Sequence, residues 1–140
     1  MIAVIIATHG SFSKELLKSS EMIFGKQKNV ATVSFVAGEG TDDLIEKYNK
    51  LLNELDCSDG ALIMVDIFGG SPFNAASMIA LKNEKIELIT GTNLPMLLEV
   101  FAAKDTVTIK ELVEIAENAG KESVKKLLKS NEQDLKEDEL

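Results

Sequence analysis

Ile2-Ala3-Val4-Ile5-Ile6-Ala7-Thr8-His9-Gly10 is an apolar run that ends at the only histidine of the chain. A short continuous apolar run without polar alternation reads as a strand buried on both faces. His9 then stands where the strand gives way to a loop. In open α/β sheets, ligands and chemistry gather outside the carboxyl ends of strands. A second run, Ala61-Leu62-Ile63-Met64-Val65, ends the same way in Asp66 and is followed by Ile67-Phe68-Gly69-Gly70-Ser71-Pro72. If the two strands are parallel neighbours, an imidazole and a carboxylate meet at one rim of the sheet, beside a glycine turn that opens a helix.

Working outward, strand-like runs alternate with helical patterns, which favours βαβ units and a parallel sheet. A helix is expected over 14–24, capped by Ser13, stapled by Phe12 and Leu17, and ended by Gly25. A second strand follows over 30–36. Thr41 caps the next helix, whose first turn carries Asp42 and Asp43 at the positive end of the dipole. That helix is read as reaching Cys57. Ser71-Pro72 starts a helix to about Leu81, with Ser71 as N-cap and Pro72 at the first helical position. The fourth strand covers 86–90. A short helix over 95–103 is preceded by Asn93, read as a cap. Thr108 and Glu111 have the spacing of a capping box, opening a last helix over 109–129. Residues 130–140 read as a flexible acidic tail. The right-handed crossover rule limits the topology; the expected fold is a doubly wound, mostly parallel α/β sheet of order 2-1-3-4, with helices on both faces and strands 1 and 3 side by side. His9 and Asp66 fall at its topological switch point.

At 140 residues, with 45% hydrophobic and 27% charged residues, the chain reads as one globular domain. No apolar run approaches a membrane span, and the opening run lacks the basic flank and cleavage site of a signal peptide. One cysteine, Cys57, excludes an internal disulfide, and a cytoplasmic location is expected. The net charge is −8, which argues against nucleic acid and anionic membranes and suits a partner with a basic face. All 15 basic residues are lysines. An arginine clamp on phosphate would therefore have to come from another chain.

Imidazole is a nucleophile as well as a base, and its charge changes near neutral pH. A carboxylate bonded to one ring nitrogen fixes the tautomer and leaves the other nitrogen free to attack. Asp66 is the candidate for that role toward His9. Gly69-Gly70-Ser71 at a helix start offers backbone N–H groups, a hydroxyl and positive potential to an anion. A phosphoryl group on His9 could be held there without arginine or metal, because phosphoryl transfer asks mainly for positioning and charge stabilisation. Ser11 and Ser13 could add donors. One histidine and one aspartate are too few ligands for a metal, and no cofactor is expected. Thr8 reads as a strand residue.

Ala7-Thr8-His9-Gly10, Phe35-Val36-Ala37-Gly38-Glu39, Ile45-Glu46-Lys47-Tyr48-Asn49, Val65 through Ala76, and Thr90-Gly91-Thr92-Asn93-Leu94-Pro95-Met96-Leu97 together resemble the enzyme IIA domain of the mannose-type sugar phosphotransferase system. The resemblance covers roughly Met1 to Leu128. It implies that residues 1–129 form a phosphocarrier domain in which His9 accepts a phosphoryl group from phospho-HPr. His9 would pass it to a histidine of the IIB component, which serves sugar uptake through IIC and IID. Asp66 then corresponds to the carboxylate that bonds the active histidine, Ser71 to the neighbouring hydroxyl, and Nε2 to the phosphorylated atom. The resemblance also implies a homodimer with an exchanged antiparallel edge strand, for which the helical pattern after Ala103 leaves no obvious place. Rival readings fare worse or differ in role. A histidine phosphatase needs an arginine before its histidine and a second histidine, and this chain has neither. A phosphocarrier for dihydroxyacetone kinase has a similar fold and histidine, but the stretch from Asp66 to Ala76 points to the sugar-transport branch. A IIA-like regulatory module, whose phosphorylation state controls a partner protein, is the alternative.

Overall fold

The computed structural model describes residues 1–129, so the expected acidic tail lies outside the described residues. Nine elements follow in order: β1 (Ala3–His9), α1 (Phe12–Phe24), β2 (Val30–Phe35), α2 (Thr41–Glu54), β3 (Ala61–Val65), α3 (Ser71–Ala80), β4 (Ile86–Ile89), α4 (Leu94–Ala103) and α5 (Ile109–Glu122). The four strands form one parallel sheet in the order β2-β1-β3-β4. This is the doubly wound α/β architecture expected from the sequence. Among the described residues no helix is long and apolar enough to cross a membrane.

The strands alternate between two separate cores, as the twofold period of a strand requires. Val4 and Ile6 of β1 and Leu62 and Met64 of β3 face α1, α4 and α5, packing on Leu16, Leu97, Val100, Phe101 and Leu112. Ala3, Ile5 and Ala7 of β1 and Ala61, Ile63 and Val65 of β3 face α2 and α3. The second face is rich in alanine, including Ala75 and Ala76 of α3, and it houses the fully buried ring of Tyr48 from α2. Because β1 and β3 are covered on both faces, their sequences run apolar without a break. From β1 the chain crosses to β2 on one side, and from β3 it crosses to β4 on the other. The crevice at the carboxyl ends of β1 and β3 is therefore the switch point. Pairing of Ala7 with Val65 brings His9 and Asp66 to it.

Several local expectations shift. α1 begins at Phe12, with Ser11 at the N-cap and no side-chain capping bond. Ser13 lies inside the first turn, buried, so it is not a cap. Its N–H donates to Thr8 Oγ1 at 2.7 Å and its hydroxyl to the Val33 carbonyl at 2.9 Å. Phe12 is half exposed at the first helical position, not at N′ where a staple would need it. Gly40 rather than Thr41 is the N-cap of α2, with its N–H on the Asp43 carboxylate at 2.8 Å. Helix α2 stops at Glu54, short of Cys57. Asn93 caps α4 by accepting from the Met96 N–H at 3.0 Å, and Thr108 and Glu111 form the expected capping box of α5. Helix α5 ends at Glu122 instead of Lys129. Ser123 there donates to the Gly120 carbonyl at 2.8 Å. Beyond it Val124 and Leu127 stay exposed, so an apolar periodicity exists with no surface to bury against. No fifth strand occurs among the described residues.

Candidate functional site

His9 is the last residue of β1, and Gly10 leaves it with a left-handed φ of 57° that turns the chain into α1. The Gly10 N–H donates to the Phe35 carbonyl at 2.8 Å, so the turn is tied to β2. Thr8, fully buried, organises the other side of the same turn. Its Oγ1 accepts from Ser13 N–H and donates to the His9 carbonyl at 3.1 Å. The start of α1 is thus anchored by a strand residue. Ser13, a candidate donor in the sequence, has its hydroxyl committed to Val33 and is not free for a ligand. Ser11 is exposed at the helix start.

Asp66 follows β3 and reaches across to β1. Its Oδ2 accepts from the His9 backbone N–H at 3.0 Å and meets His9 Nδ1 at 2.8 Å. Its Oδ1 accepts from the Ile67 N–H at 3.0 Å. The carboxylate is thereby fixed at both oxygens, with its side chain 13% exposed while the imidazole is 47% exposed. Burial alone would push the Asp66 carboxyl up. The backbone and ring hydrogen bonds of His9, the Ile67 N–H and the charge of His9 together outweigh it, and the net shift is downward. With Nδ1 held by a carboxylate, the neutral ring carries its proton there and presents a lone pair at Nε2. Among the described residues Nε2 has no hydrogen-bond partner. Phe35 packs edge-on to the imidazole, with ring centroids 5.6 Å apart and planes at 85°. Sequence reasoning gave Phe35 no contact with His9. The signal was register, since Phe35 pairs directly with His9.

The glycine turn sits where the sequence places it. Gly69 has a φ of 85°, which only glycine adopts readily. Gly70 has an ordinary extended backbone and is required for space instead. A Cβ there would lie 2.9 Å from His9 Cε1 and 3.2 Å from Ile67 Cγ1. Gly70, not Ser71, is the N-cap of α3, so Ser71 and Pro72 each move one place into the helix. The start of α3 is therefore against the imidazole edge between the two ring nitrogens. Gly70 provides no side-chain cap, which leaves the first-turn N–H groups open to an anion. The start of α1 and the loops on this rim expose Phe12, Val36, Ile67 and Phe68, the last 78% exposed. Asn93 acts as a cap, as its type and position suggest. With nearly half of its side chain exposed, His9 stands at an open rim. Such a rim suits a protein partner better than a small molecule.

Two outcomes follow from this geometry. Gly70→Ala is expected to keep a cooperative fold while displacing the imidazole from Asp66. The check is the ring ¹⁵N–¹H correlations of His9, and unchanged ring signals would contradict the contact. For Asp66, the folded pKa lies below its unfolded value, so its contribution to stability is present above 3.8 and is lost as the pH falls through the folded value. The stability gap between the wild type and Asp66→Asn should therefore be full near neutrality and close in strong acid. Urea midpoints across that range measure it, and a gap independent of pH would refute the assignment.

Comparison with known proteins is consistent with this geometry. The family model described as the PTS system fructose IIA component, EIIA-man, matches residues 3–117. The mannose-specific EIIAB component of the PTS from Escherichia coli K12 is 49% identical over 127 residues, covering 90% of this chain and 39% of that protein. The chain thus spans about two fifths of that relative's length. The fructose-specific EIIA component of Bacillus subtilis is 38% identical, with 100% of both chains covered. Among solved structures, the phosphotransferase component EIIA from Streptococcus agalactiae superposes with a TM-score of 0.83 at 28% identity, covering 90% of this chain and 97% of that one. The resemblance drawn from the motifs therefore holds over nearly the whole fold: the chain belongs to the mannose-type enzyme IIA family of the phosphoenolpyruvate-dependent sugar phosphotransferase system.

Proposed function

We propose that residues 1–129 are a phosphocarrier domain working on the cytoplasmic side, with His9 as the phosphoryl acceptor. The observation that carries this reading is the His9 imidazole, fixed through Nδ1 by Asp66 at 2.8 Å and open at Nε2. In the first step Nε2 attacks the phosphorus of phospho-HPr. The Nε2–P bond forms as the P–N bond to the donor imidazole breaks, and the donor ring leaves with that electron pair. Positive charge appearing on the His9 ring is offset by Asp66 across the Nδ1–H bond. The phosphoryl oxygens meet the N–H groups at Gly70 and Ser71 and the Ser71 hydroxyl. In the second step a histidine of IIB attacks the same phosphorus from the opposite side, and His9 leaves. The energy of one P–N bond is exchanged for another, so little beyond positioning is required.

The exposed apolar residues on the rim and the net charge of −8 fit partners with an apolar, basic docking face, the role assigned to HPr and IIB. The resemblance also assigns a homodimer. Strand β4 is an edge of the sheet, flanked by a cleft of about 620 Å³ that Phe73, Leu81, Ile86 and Leu88 line. An exchanged strand from a second copy would need an open edge of this kind.

Incubation with phosphoenolpyruvate, enzyme I and HPr tests the carrier role. Intact mass should show one acid-labile phosphoryl group on the wild type and none on His9→Ala, with the fold of the variant retained. Asp66→Asn should be labelled at least about tenfold more slowly, since each lost charge-assisted hydrogen bond is worth roughly 1.5–3 kcal/mol. No label on the wild type, with enzyme I and HPr active on another acceptor, would overturn the carrier role. Label surviving in His9→Ala would overturn the choice of residue.

A further inference from the structure

The helices of this fold differ in how their first turns are held. Side-chain acceptors take N–H groups at the start of α1 (Thr8 on Ser13), α4 (Asn93 on Met96) and α5 (Thr108 on Glu111). At α2 the Asp43 carboxylate accepts from the N-cap N–H. Helix α3 has glycine at its N-cap and no side-chain acceptor on its first turn. Among the described residues, the side-chain hydrogen bonds on that turn are of the opposite sense, and besides the local one from Ser77 to the Asn74 carbonyl at 2.9 Å one comes from another helix. The Tyr48 hydroxyl of α2 donates to the Pro72 carbonyl at 2.8 Å. The turn is held by a carbonyl, and its N–H groups are left unoccupied.

Tyr48 is fully buried, in the alanine-rich core beneath Val65, Ala75 and Ala76. Burial first, and the charge of Asp66 second, push its phenol well above its ordinary value, so it remains a neutral donor through the working pH range. One buried side chain therefore lies within electrostatic reach of the carboxylate that orients His9 and bonds the helix start that abuts His9 Cε1. We propose that Tyr48 is a positioning residue for phosphoryl transfer: its hydroxyl fixes the first turn of α3 so that the free N–H groups of Gly70 and Ser71 face the phosphoryl group on His9. This rests on the carrier reading above. A capping side chain could hold the turn equally well but would occupy the N–H groups the anion needs. Anchoring through Pro72, whose residue has no N–H of its own, avoids that competition.

The test is single-turnover transfer from phospho-HPr to the wild type and Tyr48→Phe, measured across donor concentrations. Removing one hydrogen bond while keeping the ring should lower the maximal rate about tenfold and leave the half-saturating donor concentration unchanged. A purely structural role would lower the melting temperature without that split. If Tyr48→Phe does not fold at the assay temperature, 4-fluorophenylalanine at position 48 fills the hydroxyl volume without donating, and the same loss is expected. 4-Aminophenylalanine, which restores a donor, should recover the rate. A maximal rate equal to the wild type's in a folded non-donor variant would overturn the positioning role. A wild type that takes no phosphoryl group at all would instead overturn the carrier reading on which it rests.

Discussion

The carboxylate of Asp66 holds the backbone N–H and the ring of His9 at once, from a neighbouring strand. The geometry at the switch point depends on that arrangement. A backbone N–H at the end of a strand needs an acceptor, and here a side chain supplies it in place of the next ladder bond. The same oxygen then defines which ring nitrogen carries the proton. Because β1 and β3 are adjacent, parallel and buried on both faces, neither end can move without disturbing two cores. The imidazole is exposed, yet its orientation is set by buried structure. That combination suits the proposed carrier role. A phosphoryl-accepting ring would have to be reachable by a donor surface and already in place before it arrives.

The rest of the rim divides its tasks between the two helices that start there. Helix α1 is tied by Thr8 and Ser13, whose polar atoms are all committed to the fold. Helix α3 keeps its donors open and comes close enough to His9 that only glycine fits at position 70. The sequence has no arginine, so under the proposed carrier role a bidentate clamp on the phosphoryl group would come from a partner, beside the backbone dipoles at the start of α3.

The architecture was legible because the two central strands are continuous apolar runs and the helices alternate with them. The expected strand order, 2-1-3-4, is the one found, and with it His9 and Asp66 meet at the rim. The features that sequence reasoning missed share a cause. Phe35 against His9 and Tyr48 beneath α3 are contacts between residues distant along the chain, visible only once register and packing are known. Ser13 reads as a cap because serine commonly accepts from a helix N–H, but buried beside Val33 its hydroxyl donates to that carbonyl instead. The one-residue shifts at Thr41 and Ser71 each put the preceding glycine at the N-cap in an extended conformation; at position 70 the glycine answers to space, because a Cβ would meet His9 Cε1. The last helix was read too long because periodicity reports which residues share a face, not whether anything covers it.

The central claim is that Asp66 fixes the tautomer of His9 and so directs phosphorylation to Nε2. Long-range ¹H–¹⁵N correlation of the imidazole in uniformly labelled protein, before and after phosphorylation, tests this most directly. The account predicts a neutral ring protonated at Nδ1 before transfer, and phosphorus bound to Nε2 afterwards, with Nδ1 still protonated. A neutral ring protonated at Nε2, or phosphorus on Nδ1, would contradict it.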